Sequence, residues 1–173
     1  MYLAGGLIAQ ARDDGFRVIV VPDTVAQRLP RLTDIEGNAL RDLNEYREEW
    51  NRSFEYDFVA VQDLTAREQA VFARATPLLD LLRKETKSVR EILVSRTMRL
   101  NAYSDNEAVG VWDGDEGRII IKRDQLADTE AFLSTLLHEV GHALSGAPDI
   151  DETFEAALTH LLGRTGTAAT GGH

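Results

Sequence analysis

The sequence predicts an α+β fold from three observations. Long segments carry apolar residues at helical spacing, shorter segments alternate apolar with polar residues, and an Asp- and Gly-rich stretch between two apolar runs reads as the turn of a β-hairpin.

Residues 2–12 are predicted to form a short apolar helix closed by Gly15, whose freedom to take a positive φ suits a left-handed cap. Phe16 to Val21 then reads as a strand ended by Pro22. Over residues 34–52, Ile35, Leu40, Leu43, Tyr46 and Trp50 recur at helical spacing between charged residues, which predicts an amphipathic helix. Phe54 to Val61 alternates as a half-buried strand does. Thr65 and Glu68 make a capping box that opens a helix running to about Arg83, with Pro77 placed to kink it. Val89 to Leu100 fits a helix or a long strand, because short apolar runs do not separate the two.

The hairpin is the clearest local signal: Ala108–Trp112 and Arg118–Lys122 flank Asp113-Gly114-Asp115-Glu116-Gly117. Asp128-Thr129-Glu130 caps a third long helix, with Phe132, Leu133, Leu136, Leu137 and Val140 on its apolar side, and Gly146 with Pro148 ends it. A last helix follows Asp149 or Asp151, carries Phe154, Ala157, Leu158, Leu161 and Leu162, and is expected to stop at Gly163.

The 173 residues hold 29 acidic and 19 basic side chains, a formal charge of -10, and 43% are hydrophobic. A chain of this length buries roughly 70% of its unfolded surface, so it needs no metal merely to fold, and any metal is expected to be functional. The acidic balance argues against nucleic acid as the main partner, since phosphate binding calls for a basic face. Cysteine is absent, which excludes disulfides, thiolate nucleophiles and Cys-ligated metal sites. No run approaches the ~20 apolar residues of a membrane span, and the N-terminus lacks the basic start of a signal peptide. The expectation is a cytoplasmic protein. Its opening helix, uncapped from residue 2, is the kind of start expected equally of a segment cut from a longer protein and of a plain N-terminal core helix.

One motif carries chemistry. His138-Glu139-Val140-Gly141-His142 matches His-Glu-x-x-His, in which two imidazoles four residues apart share a helix face and bind one Zn²⁺. Glu139, one step round the helix, is then the general base for a metal-activated water. The residues around the motif, Thr135-Leu136-Leu137 and Ala143-Leu144, contain no charge and no proline, as a buried helix requires. The preceding hairpin fits the same chemistry, because an edge strand can hold an extended peptide by backbone pairing.

A catalytic zinc site has three protein ligands and one open position. The third ligand is expected downstream of the Gly146–Pro148 turn, among Asp149, Asp151, Glu152 and Glu155. Glu155 is the first choice, one turn into the last helix beside Phe154, Leu158 and Leu162. Asp151 and Glu152 also suit helix capping and the helix dipole. His160, five residues beyond Glu155, is expected to be exposed rather than a ligand.

The stretch Thr135 to Ala143 resembles the active-site helix of zincin metallopeptidases, and the helix with Glu155 resembles the glutamate-bearing second helix of the gluzincin arrangement. The hairpin, motif helix and second helix are similar to those of small bacterial peptidases of the ImmA/IrrE type. Residues 101–163 also resemble the C-terminal peptidase-like segment of bacterial proteins with an N-terminal histidine kinase/Hsp90-like ATPase domain. The resemblance implies a compact zincin-like domain in which His138, His142 and Glu155 bind zinc and Glu139 is catalytic. It departs from the ImmA/IrrE pattern in spacing, since Glu155 follows His142 by only 13 residues and no Glu-x-x-Ala-Asn precedes it. The organisation it implies is an N-terminal α/β supporting or gating region over 1–88, a peptidase core over 89–163 and a disordered tail over 164–173. The implied partners are a peptide or protein substrate and an ATPase domain or partner protein. The alternative reading is a non-catalytic zinc-binding interaction module.

Tyr103 and Asn106 are further candidates, as hydrogen-bond donors to an oxyanion, but turn and core roles suit them better. Asp113 and Asp115 read as turn residues rather than a calcium loop. Gly5-Gly6 lacks the Lys-Ser/Thr of a phosphate loop, and Trp50, Phe54 and Tyr56 read as core.

Overall fold

A computed structural model describes residues 5–28, 32–37, 39–101 and 106–171. Their contacts divide the chain into two units, Met1–Glu55 with Arg99–Glu107, and Tyr56–Met98 with Ala108–His173. Among the described residues, no helix is long and apolar enough to cross a membrane.

The first unit holds α1 (Gly5–Asp13), the short α2 (Asp23–Ala26) and α3 (Leu43–Ser53). Gly15 does take the left-handed conformation, at φ 91°. The expected strand over Phe16–Val21 does not form, and Ile19 and Val20 stand exposed. Apolar alternation favours a strand only when another strand is at hand to pair with it. The amphipathic helix begins at Leu43 rather than near residue 34, because Asp42 and Glu45 form a capping box there and Gly37 turns the chain before it at φ 86°. Leu7, Ala11 and Tyr46 form this unit's small core, flanked by Trp50.

The second unit is mixed α and β. Its four strands are β1 (Phe58–Val59), β2 (Glu91–Ser95), β3 (Gly110–Asp113) and β4 (Arg118–Lys122), in the order β1-β2-β4-β3. β3 and β4 form the expected hairpin, antiparallel with Trp112 opposite Ile119, and Gly117 closes its turn at φ 67°. Residues 91–95, ambiguous in the sequence, are a strand because β4 offers a parallel partner that aligns Leu93 with Ile120. The expected long strand over 54–61 shortens to two residues paired with β2.

The helix opened by Thr65 is two helices, α4 (Ala66–Phe72) and α5 (Ala75–Leu81). Pro77 explains the break. Its ring would clash with the carbonyl four residues earlier, at Ala73, and Ala73 is where α4 ends. Val71 of α4, Ala75 of α5 and the following Leu82 lie in the same core as the sheet and the motif helix. Residues 56–88 therefore belong with the hairpin unit and not to a separate N-terminal region ending at 88.

The core forms where α6 (Thr129–Ser145) lies on the sheet. Phe132, Leu136 and Val140, four apart, are fully buried against a cluster that includes Val94, Ile119 and Ile121. Each such side chain contributes about 1.5–3 kcal/mol on leaving water. Asp128 caps α6 by accepting the Ala131 N–H at 3.0 Å. The last helix, α7 (Glu152–Ala169), adds Leu161 to this core.

Helix α7 does not stop at Gly163 but runs on to Ala169, so most of the expected tail is helical. Gly163 lacks the positive φ that a glycine cap requires. Arg164 also holds the helix down, donating to the Leu81 carbonyl at 3.3 Å and pairing with Glu85.

A second tie joins α4 to the segment after β4. Glu68 receives Arg123 through both carboxylate oxygens, at 2.8 and 3.0 Å, while Oε2 also accepts the Thr65 N–H at 2.7 Å. The Arg123 hydrogen bonds, then the Thr65 backbone, pull the Glu68 carboxyl from 4.5 down to about 2. A carboxyl depressed by folding stabilises the fold above its unfolded pKa and loses that contribution as pH falls through the folded value. Glu68→Gln is therefore expected to lower Tm at neutral pH, with the gap to wild type closing as pH is taken from 4.5 towards 2 in thermal melts.

Candidate metal centre

The apolar stripe of α6 that faces the sheet fixes where its other faces point. His138 and His142, one turn apart, lie one above the other, and their Nε2 atoms are 3.2 Å apart. Helix α6 ends at Gly146, left-handed at φ 65°, whose N–H bonds the His142 carbonyl at 2.8 Å. The chain then doubles back past Pro148. This brings Asp149 Oδ1 to 3.0 Å from His138 Nε2 and 3.3 Å from His142 Nε2. Ile150 follows at φ 65°, a conformation costly for a β-branched residue, and Asp151 caps α7 by accepting the Thr153 N–H at 2.8 Å.

His138, His142 and Asp149 form the single His/Asp/Glu group found among the described residues that could hold a metal ion. Ligands ~2.0–2.1 Å from a tetrahedral zinc stand roughly 3.3 Å from one another, so the triangle matches one face of such a tetrahedron. The tautomer suits it as well. His142 Nδ1 lies 2.9 Å from the Ala147 carbonyl, which can only accept, so Nδ1 carries the proton and Nε2 presents its lone pair. Desolvation, with the nearby His142, holds the His138 pKa below the usual imidazole value against the opposing pull of Asp149. A neutral imidazole is the form that binds a metal.

Phe154, from the first turn of α7, forms a wall behind the imidazoles. Its ring stacks on His142 at 4.3 Å between centroids and meets His138 edge-on at 4.9 Å. Gly141 makes room for it, since a Cβ there would stand 3.0 Å from the Phe154 ring. The His138 side chain is 40% exposed and that of Asp149 33%.

Glu139 is buried beside this group, at 5% exposure. Burial pushes its carboxyl up to about 8; a backbone hydrogen bond from Trp112 on β3 opposes the rise and the charge of Asp149 adds to it. A cation on the three donors would favour the ionised form.

The structure thus brings His138 and His142 together with Glu139 alongside, as the motif predicts. It does not bring Glu155 to them: Glu155 is exposed on α7, and the third donor atom is an oxygen of Asp149. Asp151 is the helix cap, and Glu152 is exposed in the first turn. The reason lies in the cap. With Asp151 at the N-cap, the residue aimed at the histidines from α7 is Phe154, the apolar one, and Glu155 falls one step round towards solvent. The Gly146–Pro148 turn was the available signal, because a chain that reverses at a left-handed glycine returns alongside the last helical turn, where His142 sits. His160 is exposed, as expected, and bonds Glu85 at 3.2 Å. Tyr103 lies outside the described residues, and Asn106 belongs to the first unit, where its carbonyl accepts the Asn101 N–H. The Asp113 carboxylate is used within the hairpin, by Arg118 at 3.0 Å.

No protein-family model, curated protein or solved structure matches the chain. The functional reading therefore stands on the site itself.

The two carboxylates are separable by titration with zinc against a competing chelator. Asp149→Ala is expected to weaken zinc binding at least about 100-fold, more than loss of an outer-shell partner costs, whereas Glu155→Gln leaves affinity within about twofold.

Proposed function

We propose that the chain is a zinc-dependent hydrolase of peptide bonds, a zincin-like metallopeptidase with His138, His142 and Asp149 as metal ligands and Glu139 as general base. The observation that carries this reading is the triangle of three donor atoms 3.0–3.3 Å apart with a buried glutamate next to it on the same helix. A merely structural zinc site is closed by four protein ligands, and among the described residues three donors converge here, with the His138 side chain 40% exposed.

Zinc held by His138, His142 and Asp149 would supply a Lewis acid for the scissile carbonyl and lower the pKa of a water. Glu139 would accept a proton from the attacking water as the water oxygen bonds to the carbonyl carbon. The same carboxyl would then give that proton to the amide nitrogen as the carbon–nitrogen bond breaks. The dry wall of Phe154 strengthens electrostatic interactions within the site. β3 is one of the two outer strands of its sheet, the one beside α6, and this supports an extended peptide as substrate. Val109 accepts the Lys122 N–H at 2.9 Å, so in the alternating antiparallel ladder Gly110 and Trp112 turn their backbone groups away from β4. The resemblance to the peptidase-like segment of ATPase-linked bacterial proteins belongs to the same proposal, with a partner protein as substrate and the cytoplasm as its place.

The test is zinc content and cleavage of a peptide library by wild type and Glu139→Gln. Wild type is expected to bind about one zinc and to cleave, and the variant to keep the metal while losing 10²–10⁴-fold in rate, within about the range of general-base catalysis. Zinc binding without cleavage by wild type would overturn the peptidase reading in favour of a non-catalytic zinc-binding module.

A further inference from the structure

We propose that Gly110, on β3, is a positioning residue for Glu139: the missing side chain lets α6 lie against the strand so closely that the Glu139 carboxylate is seated on the β3 backbone. This rests on the hydrolase reading for its catalytic consequence, but the contact itself does not.

A Cβ at Gly110 would stand 2.6 Å from Glu139 Oε1, 2.8 Å from Glu139 Cγ and 2.6 Å from Thr135 Cγ2. Real Cβ atoms essentially never approach other atoms so closely, so any other residue forces a displacement. Backbone conformation is not what requires glycine here, because Gly110 has no left-handed φ and pairs with Ile121 in the ladder. Glycine within a strand weakens it, so the requirement is space.

Thr135 and Glu139 are one turn apart, so Gly110 faces a full turn of α6. Neither can move out to solvent, at 7% and 5% exposure. Thr135 is the more firmly held, being β-branched and donating its hydroxyl to Gln125 Oε1 at 3.2 Å. A methyl group at 110 therefore displaces chiefly the longer Glu139 side chain. On the same strand, two residues on, the Trp112 backbone favours the ionised form of that carboxyl. β3 thus supplies the gap in which the Glu139 side chain lies. The nearest atoms to the absent Cβ are those of Thr135 and Glu139, with no metal-ligand candidate among them. Displacing Glu139 therefore leaves the His138, His142 and Asp149 triangle in place.

The test uses Gly110→Ala in the full chain, alone and with Thr135→Ala, which removes the competing methyl contact. Zinc affinity is expected to stay within about threefold of wild type, while kcat falls about 10–100-fold with KM within about threefold, the pattern of a misplaced catalytic group. The double variant is expected to recover only the part of the lost thermal stability that the Thr135 methyl contact costs, and not kcat, because the Glu139 contacts remain. An unchanged kcat in Gly110→Ala, or a kcat that recovers with stability, overturns the proposal.

A second measurement needs no activity. In the Thr135→Ala background, Gly110→Ala is expected to lower the denaturation midpoint clearly when Glu139 is present and much less when Glu139→Ala is added. Equal shifts in both backgrounds would show that the two residues are not coupled and overturn the proposal. If wild type cleaves no peptide, the hydrolase reading fails while this coupling still decides the contact.

Discussion

The seating of α6 on the sheet is the interaction on which the rest of the second unit depends. Phe132, Leu136 and Val140 lose all contact with solvent against the cluster that includes Val94, Ile119 and Ile121. Burial on this scale fixes the rotation of the helix about its axis, because a small rotation would expose apolar surface worth several kcal/mol, roughly 1.5–3 per side chain. Once the rotation is fixed, the neighbouring faces have no freedom. Glu139, one residue before Val140, is held at the margin of the core, and His138 and His142 lie one above the other on the next face. The site's polar groups are thus held by apolar packing rather than by one another.

The cost of that arrangement is visible at Glu139. A carboxyl at 5% exposure whose pKa folding raises from 4.5 to about 8 takes stability away from the folded chain as pH rises to neutral, because the folded state binds the extra proton. A similar tension shows at Ile150, a β-branched residue held at φ 65° and exposed to solvent. Strain and a buried ionisable group of this kind persist only where surrounding structure imposes them, and here both flank the same three donor atoms. The surrounding structure is identifiable: Gly146 and Asp151 bracket the turn, and Phe154 packs against both imidazoles.

Legibility in the sequence followed the range of the interactions involved. The hairpin, the capping boxes at Thr65 and Asp42, the cap at Asp128 and the left-handed glycines at 15 and 146 are decided within a few residues, and all of them form. The capping box at Asp42 was written in the chain as plainly as that at Thr65, but the apolar spacing upstream of it masked it. The failures needed partners from far away in sequence. Phe16 to Val21 has the composition of a strand and no strand to pair with, whereas residues 91–95 became one because β4 lay parallel to them. Gly163 looked like a stop, yet distant contacts of Arg164 with Leu81 and Glu85 carry the helix past it.

The sequence by itself determined the chemistry available and most of the site. Without cysteine, with four histidines and two of them spaced one helical turn apart around Glu139, the donors were His and carboxylate from the start. What only the tertiary structure decided was which of four acidic residues would complete the group, and what would hold Glu139. Helical period predicts which residues share a face, but the direction of the chain after Gly146 depends on how α7 docks, and α7 docks through Phe154 and Leu161. That docking aims a phenyl ring, not Glu155, at the imidazoles and leaves the turn to deliver Asp149. The closeness of β3 to α6 at Gly110 is likewise a matter of distance between elements, which no periodicity along the chain encodes.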